Sequence, residues 1–169
     1  MEALVVGNKV ISSSHEAFSL YEKARWGEKK QSHIEYTLLE ALALMSLKKM
    51  QVRNGSQPIS EALLLKRAKR SDKRAEIKLA VLCDLRKKGY IVKTALKFGA
   101  EFRVYDKGVK PGQDHATWLL LPVKENEPFT WYDFAAKSRI ATSTNKKLML
   151  AIVDDADDIT YYQVNWIRP

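Results

Sequence analysis

Two apolar runs, Ala116–Leu121 and Leu148–Val153, constrain this chain more than any other feature. A strand with one wet face alternates apolar and polar residues. A continuous apolar run of this length, without a charge, suits a strand covered on both faces, as in the interior of an α/β sheet. Between the runs, Thr130–Ala136 reads as a helix, with Asp133 placed to complete its cap. Upstream, the hydrophobic period changes at Gly89. Before it, Ile77, Ala80, Val81 and Leu85 recur at helical spacing, from an N-cap at Ser71 to a stop at Gly89. After it, Tyr90–Val92 and Glu101–Tyr105 read as strands, and Ile159–Ile167 as a last one.

The first seventy residues read differently. Ala3–Ser12 is a pair of strands around a Gly7-Asn8 turn, and Ser14–Ala24 is a helix ended by Gly27. Ser32-His33-Ile34-Glu35 has the capping-box pattern, which predicts a long helix through Met50 with Ile34, Leu38, Leu42 and Met45 on one stripe. Asn54-Gly55 is a turn, and Ser60 starts a further helix that turns Leu63 and Leu64 toward the core. The fold class is therefore α+β to α/β. An N-terminal, mostly helical domain with a small sheet occupies residues 1–70. A C-terminal α/β domain around a mixed sheet occupies residues 71–169.

Hydrophobic residues make up 46% of the 169, enough for a packed core. No apolar run approaches the roughly 20 residues that span a bilayer, and no secretory leader is read. The single cysteine, Cys83, sits in an apolar helical pattern and reads as a core residue. One cysteine excludes an internal disulfide framework and a cysteine-based zinc site, and suits a reducing cytosol. The formal charge of +9 is concentrated: residues 66–97 hold 12 Lys/Arg against 3 Asp/Glu, a net +9 by themselves. Such a block can bind phosphates and release their counterions, or be a solvated helix face.

Strand alternation singles out candidate chemistry. In Glu101-Phe102-Arg103-Val104-Tyr105, Phe102 and Val104 share one face, and Tyr105 lies on the polar face at a strand end. His115 follows a loop containing Gly108, Pro111 and Gly112, and Lys146 opens the run that ends at Val153. If the first two segments pair antiparallel, Tyr105 approaches His115, with Lys146 at the mouth of a third strand. Each residue alone has a bland reading: a packing tyrosine, an exposed histidine, a lysine that keeps a strand soluble. His15 and His33 lie in helical patterns and receive no role.

In this order and in these contexts, the residues resemble the tRNA-splicing endonucleases in their archaeal form. The strongest pieces are Leu85-Arg86-Lys87-Lys88-Gly89-Tyr90, Phe98-Gly99-Ala100-Glu101-Phe102-Arg103-Val104-Tyr105, Asp114-His115, Arg139-Ile140-Ala141 and Lys146-Lys147-Leu148-Met149-Leu150. Thr160–Pro169 resembles the family's last strand, and the likeness runs from Ser32 to the chain's end. The resemblance implies a restriction-endonuclease-like C-terminal domain and a tRNA-intron lyase, cutting precursor tRNA at a bulge-helix-bulge. By that resemblance Tyr105 is the general base, His115 the general acid and Lys146 the transition-state cation. Arg139 clamps a bulged base, with Trp166 or Arg168 as the clamp's second half. No metal or cofactor is implied, the enzyme works in the cytoplasm, and four chains assemble as a homo- or heterotetramer. Two departures stand out: Ala116 where a serine is expected, and Lys147 beside Lys146.

The acidic run Asp154-Asp155-Ala156-Asp157-Asp158 lacks the glycine and terminal glutamate of an EF-hand loop. It reads as a solvated turn or, by the resemblance, as a loop that docks in a basic pocket of another subunit. Three other function classes compete. One is a non-catalytic RNA-binding subunit of the same assembly. Another is a basic DNA-binding module, supported only by residues 60–97. The last is a metal-dependent nuclease, hinted at by Glu76-Ile77-Lys78.

Overall fold

The computed structural model describes residues 1–95, 100–112 and 114–167. The chain forms two compact units, Met1–Leu82 and Cys83–Pro169. The division falls twelve residues beyond the expected boundary, inside a helix.

The N-terminal unit opens with strands β1 (Glu2–Val6) and β2 (Lys9–Ser12), joined at Gly7-Asn8. Alternation governs β1: Ala3 and Val5 are buried, whereas Leu4 and Val6 face outward. Helix α1 (His15–Ala24) starts at Ser14, whose hydroxyl accepts the Ala17 N–H, and stops at a left-handed Arg25. Strands β3 (Glu28–Lys29) and β4 (Ile34–Thr37) follow, then α2 (Leu38–Ser46), β5 (Gln51–Asn54), β6 (Gln57–Ile59) and α3 (Glu61–Ser71). The sheet order is β3-β4-β2-β1-β5-β6, with β1 and β5 parallel and the other pairs antiparallel.

Three expectations are corrected here. The sheet has six strands rather than being small, although the helices of this unit still hold more residues than its strands. Ile34–Thr37 is a strand rather than the first turn of a helix, because Tyr36 pairs with Val10 and Ile34 with Ser12. The working capping box is the next one along, Thr37 to Glu40: Thr37 Oγ1 accepts the Glu40 N–H, and Glu40 accepts the Thr37 N–H. Finally, Leu64 is buried but Leu63 is 56% exposed, one helical position out of phase.

Helix α4 (Ala75–Lys87) crosses the division between the units. Ser71 is the last residue of α3 rather than an N-cap; Asp72 caps the turn instead, accepting the Arg74 N–H at 2.9 Å. Gly89, with φ +91°, ends the helix region as expected. Cys83 is half-buried rather than fully in the core.

The C-terminal unit contains β7 (Ile91–Thr94), β8 (Phe102–Tyr105), β9 (Trp118–Lys124), α5 (Trp131–Ser143), β10 (Lys147–Val153) and β11 (Ile159–Val164). They form a mixed sheet in the order β11-β10-β9-β8-β7. Only β9 and β10 run parallel, and α5 makes the crossover that a parallel pair requires. Helix α5 begins at Thr130, whose hydroxyl accepts the Asp133 N–H, and runs seven residues beyond the expected end. Ala141, Phe134 and Ile140 pack with Leu119 and Leu148 of the sheet. Strand β9 is buried from Leu119 to Val123, as a central strand should be. Strand β10 is not covered throughout: Met149, Leu150 and Ile152 are only half-buried, since its neighbour β11 is the sheet's edge.

Candidate active site

The sheet's register decides where the singled-out residues meet. Strand β8 runs antiparallel to β9, which pairs Val104 with Trp118. Strand β10 runs parallel to β9, which pairs Lys147 with Trp118. The end of β8 and the starts of β9 and β10 therefore share one edge. Thr117 ties them: its N–H donates to the Val104 carbonyl at 3.0 Å, and its carbonyl accepts the Lys147 N–H at 2.9 Å. Tyr105, His115 and Lys146 each lie one or two residues from that knot.

The three differ sharply in environment. Tyr105 is 4% exposed, packed with Ile91, Ala116 and the partly buried Val109. This corrects the expectation that alternation would leave it on an open polar face: at the end of β8 the β8–β9 loop folds back over its ring. Among the described residues, the buried side-chain polar atoms without a partner are Arg25 Nε and Arg103 Nε. The Tyr105 hydroxyl makes no hydrogen bond to a described residue. The packing of Ala116 against the ring assigns a role to the residue that stands in place of the expected serine.

His115 is exposed, on a loop shaped by Gly108 (φ +84°) and Gly112 (φ +93°). Its backbone N–H donates to the Asp114 carboxylate at 2.6 Å, and Thr117 Oγ1 donates to Asp106 at 2.7 Å. These two carboxylates brace both ends of the short segment carrying the imidazole. Lys146 is half-buried, and its Nζ donates to the Thr144 carbonyl at 2.9 Å. Asn145 takes the left-handed conformation (φ 52°) that turns the chain from α5 into β10. Thr144 and Asn145 were not singled out from sequence; an asparagine between a helix and an apolar run was the available signal.

Lys146, Asn145, Lys147, Ser138, Thr142 and Trp166 line one pocket of about 170 Å³, with Asn165 at its rim. Trp166 is 63% exposed. Arg139 is exposed on α5 beside Ser138; it does not line this pocket, and its Nε donates to the Ala135 carbonyl. Arg168 and the Phe98-Gly99 motif lie outside the described residues.

The acidic run forms the β10–β11 turn and structures itself. Asp154 accepts the N–H groups of Ala156 and Asp158 at 2.8 and 2.9 Å, and Asp157 adopts φ 63°. Asp155, Asp157 and Asp158 are left exposed on the tip. Among the described residues, no three His, Cys, Asp or Glu side chains are grouped to hold a metal ion. Among the described residues, no helix is long and apolar enough to cross a membrane.

Residues 75–161 match the sequence model of the tRNA intron endonuclease catalytic C-terminal domain, and residues 1–65 match that of the N-terminal domain. The chain belongs to the tRNA intron endonuclease family. Its relatives include the tRNA-splicing endonuclease of Methanothermobacter thermautotrophicus, 37% identical over 97% of this chain and 96% of that protein. That of Thermococcus onnurineus is 35% identical over 99% and 97%. That of Nanoarchaeum equitans is 41% identical over 80% and 90%. Tyr105, His115, Arg139 and Lys146 all fall inside the segment matched by the catalytic-domain model; Trp166 falls beyond it.

Proposed function

We propose that this protein is a tRNA-intron lyase, a metal-independent endoribonuclease that excises introns from precursor tRNA at bulge-helix-bulge sites. The observation that carries this reading is the gathering of Tyr105, the His115 loop and Lys146 around Thr117, within the family's catalytic segment. The reaction is an internal transesterification. The 2′-hydroxyl of the RNA attacks the adjacent phosphorus while the bond to the 5′-oxygen breaks, leaving a 2′,3′-cyclic phosphate and a 5′-hydroxyl.

Tyr105 engages the 2′-hydroxyl, its ring locked by packing. Positioning of the 2′-hydroxyl is a large share of its work. His115 protonates the departing 5′-oxygen as the general acid. The Lys146 ammonium stabilises the extra charge of the phosphorane, and the Thr144 carbonyl holds it in place. Trp166, beside Lys146, offers a stacking face for a bulged base, with Arg139 as the opposing cation. The C-terminal domain thus carries the chemistry. The exposed Asp155, Asp157 and Asp158 dock on another subunit of a homo- or heterotetramer in the cytoplasm.

The test is incubation of the purified protein with a bulge-helix-bulge precursor RNA in EDTA. Cyclic phosphate and 5′-hydroxyl ends are expected. A 2′-deoxy substitution at the cut site should abolish cleavage. Cleavage that survives it refutes transesterification, because metal-assisted hydrolysis has no need of the 2′-hydroxyl.

A further inference from the structure

A second feature of the molecule is not used by this chemistry. Within the N-terminal unit, the β5–β6 hairpin and helix α3 enclose an open groove of about 330 Å³. Leu63, Lys66, Arg67 and Arg70 recur at helical spacing and present one face of α3 to it; Asn54 and Gln57 line the hairpin side. Among the described residues, no carboxylate lines the groove. Lys66 and Arg70 are exposed and form no ion pair among the described residues, whereas the nearby Lys69 is paired with Glu76 at 2.9 Å. Arg67 is held by its bond to the Gly7 carbonyl at 2.7 Å, which fixes the guanidinium and leaves further donors. Leu63, 56% exposed, gives the groove an apolar side. The three cations lie between the two family-matched segments, 1–65 and 75–161, and within the stretch that carries the whole charge excess.

We propose that this groove, outside the catalytic domain, binds the sugar-phosphate backbone of the precursor tRNA. The proposal rests on the RNA-processing reading above. Two guanidinium groups and an ammonium around one cleft neutralise adjacent phosphates and release their counterions. The two amides can bond a ribose hydroxyl or a base edge, and Leu63 can pack against a sugar or base face. An anionic polymer is the occupant that uses all of these together: an apolar ligand would waste the cations, and a free anion would leave Leu63 and the amides without a role.

The experiment is filter binding of a precursor tRNA with 2′-deoxy residues at both cut sites, over a salt series, to the full chain and to its Lys66→Gln/Arg70→Gln variant. Both positions are on the surface, so thermal unfolding and assembly mass should not change. The slope of log affinity against log salt should become shallower by about 1.5, from about 0.7 to 0.9 per lost phosphate contact. An unchanged slope overturns the proposal. So does a fall in assembly mass, which would assign the groove to a protein segment such as the acidic turn of a second copy. Cleavage of unmodified precursor is measured in parallel: a wild-type chain that binds but does not cut, alone or with a paralogous partner subunit, refutes the catalytic reading and leaves the groove standing.

Discussion

Replacing Tyr105 in two ways separates packing from chemistry. Its ring is 4% exposed against Ile91, Ala116 and Val109, so Tyr105→Ala removes a buried aromatic side chain and leaves a cavity. Such truncations cost about 3 to 5 kcal/mol. For a unit of this size each kcal/mol moves the melting temperature by about 4 to 8 °C, so a drop of more than about 10 °C is expected. Tyr105→Phe keeps the ring and deletes a hydroxyl that bonds no described residue. Its stability should stay within about 0.5 kcal/mol of wild type. Its cleavage rate should nonetheless fall by about 10²- to 10⁴-fold, the usual range for a group that handles a proton. The assay pairs thermal unfolding with single-turnover cleavage of a bulge-helix-bulge RNA. Native-rate cleavage by Tyr105→Phe would refute a chemical role for the hydroxyl. A melting temperature for Tyr105→Phe as low as that of Tyr105→Ala would show the oxygen to be structural.

The other members of the site are tested more simply. His115→Ala and Lys146→Ala should each slow single-turnover cleavage by about 10²- to 10⁴-fold, with little change in melting temperature for the exposed His115; native rates in both would refute the assignment. Asp84 gives a pH prediction. Burial pushes its carboxyl up, but hydrogen bonds from Lys88 and Tyr161, both 2.6 Å, outweigh this and hold it below the ordinary range. A depressed carboxylate stabilises the fold fully above its unfolded pKa of ~3.9 and loses this as pH falls through its folded value. Wild type should therefore exceed Asp84→Asn by about 1 kcal/mol in urea unfolding at pH 7, with the gap closing below about pH 4; a gap independent of pH refutes the linkage. Charge reversal of Asp155, Asp157 and Asp158 should reduce assembly mass in sedimentation, most at low salt; an unchanged mass would count against docking.

Much of this molecule is written locally. The caps at Ser14, Ser60 and Thr130, the Gly7-Asn8 turn and the stop at Gly89 depend on a few adjacent residues, and the structure uses each of them. The apolar runs correctly mark β9 and β10, because residues inside a sheet have little freedom to be polar. Tyr105, His115 and Lys146 are proposed from their order along the chain and the text around them.

What sequence could not decide is everything that depends on a distant partner. Two capping-box patterns follow one another, Ser32–Glu35 and Thr37–Glu40, and helix periodicity runs through both. Only the pairing of Tyr36 with Val10 makes Ile34–Thr37 a strand and hands the helix start to Thr37. Leu63 and Leu64 are one helical position apart, so which is buried depends on the rotation that packing imposes on α3. Tyr105 reads as polar-facing by strand parity, yet parity says nothing about a loop that closes over the strand's end. The site itself is the clearest case. The chain spells out a phenol, an imidazole and an ammonium at separated positions. Two hydrogen bonds through the Thr117 backbone, one antiparallel and one parallel, bring their strand ends to the same edge. Residue types are local and can be read one at a time; register is a property of strands that meet only once the sheet has formed.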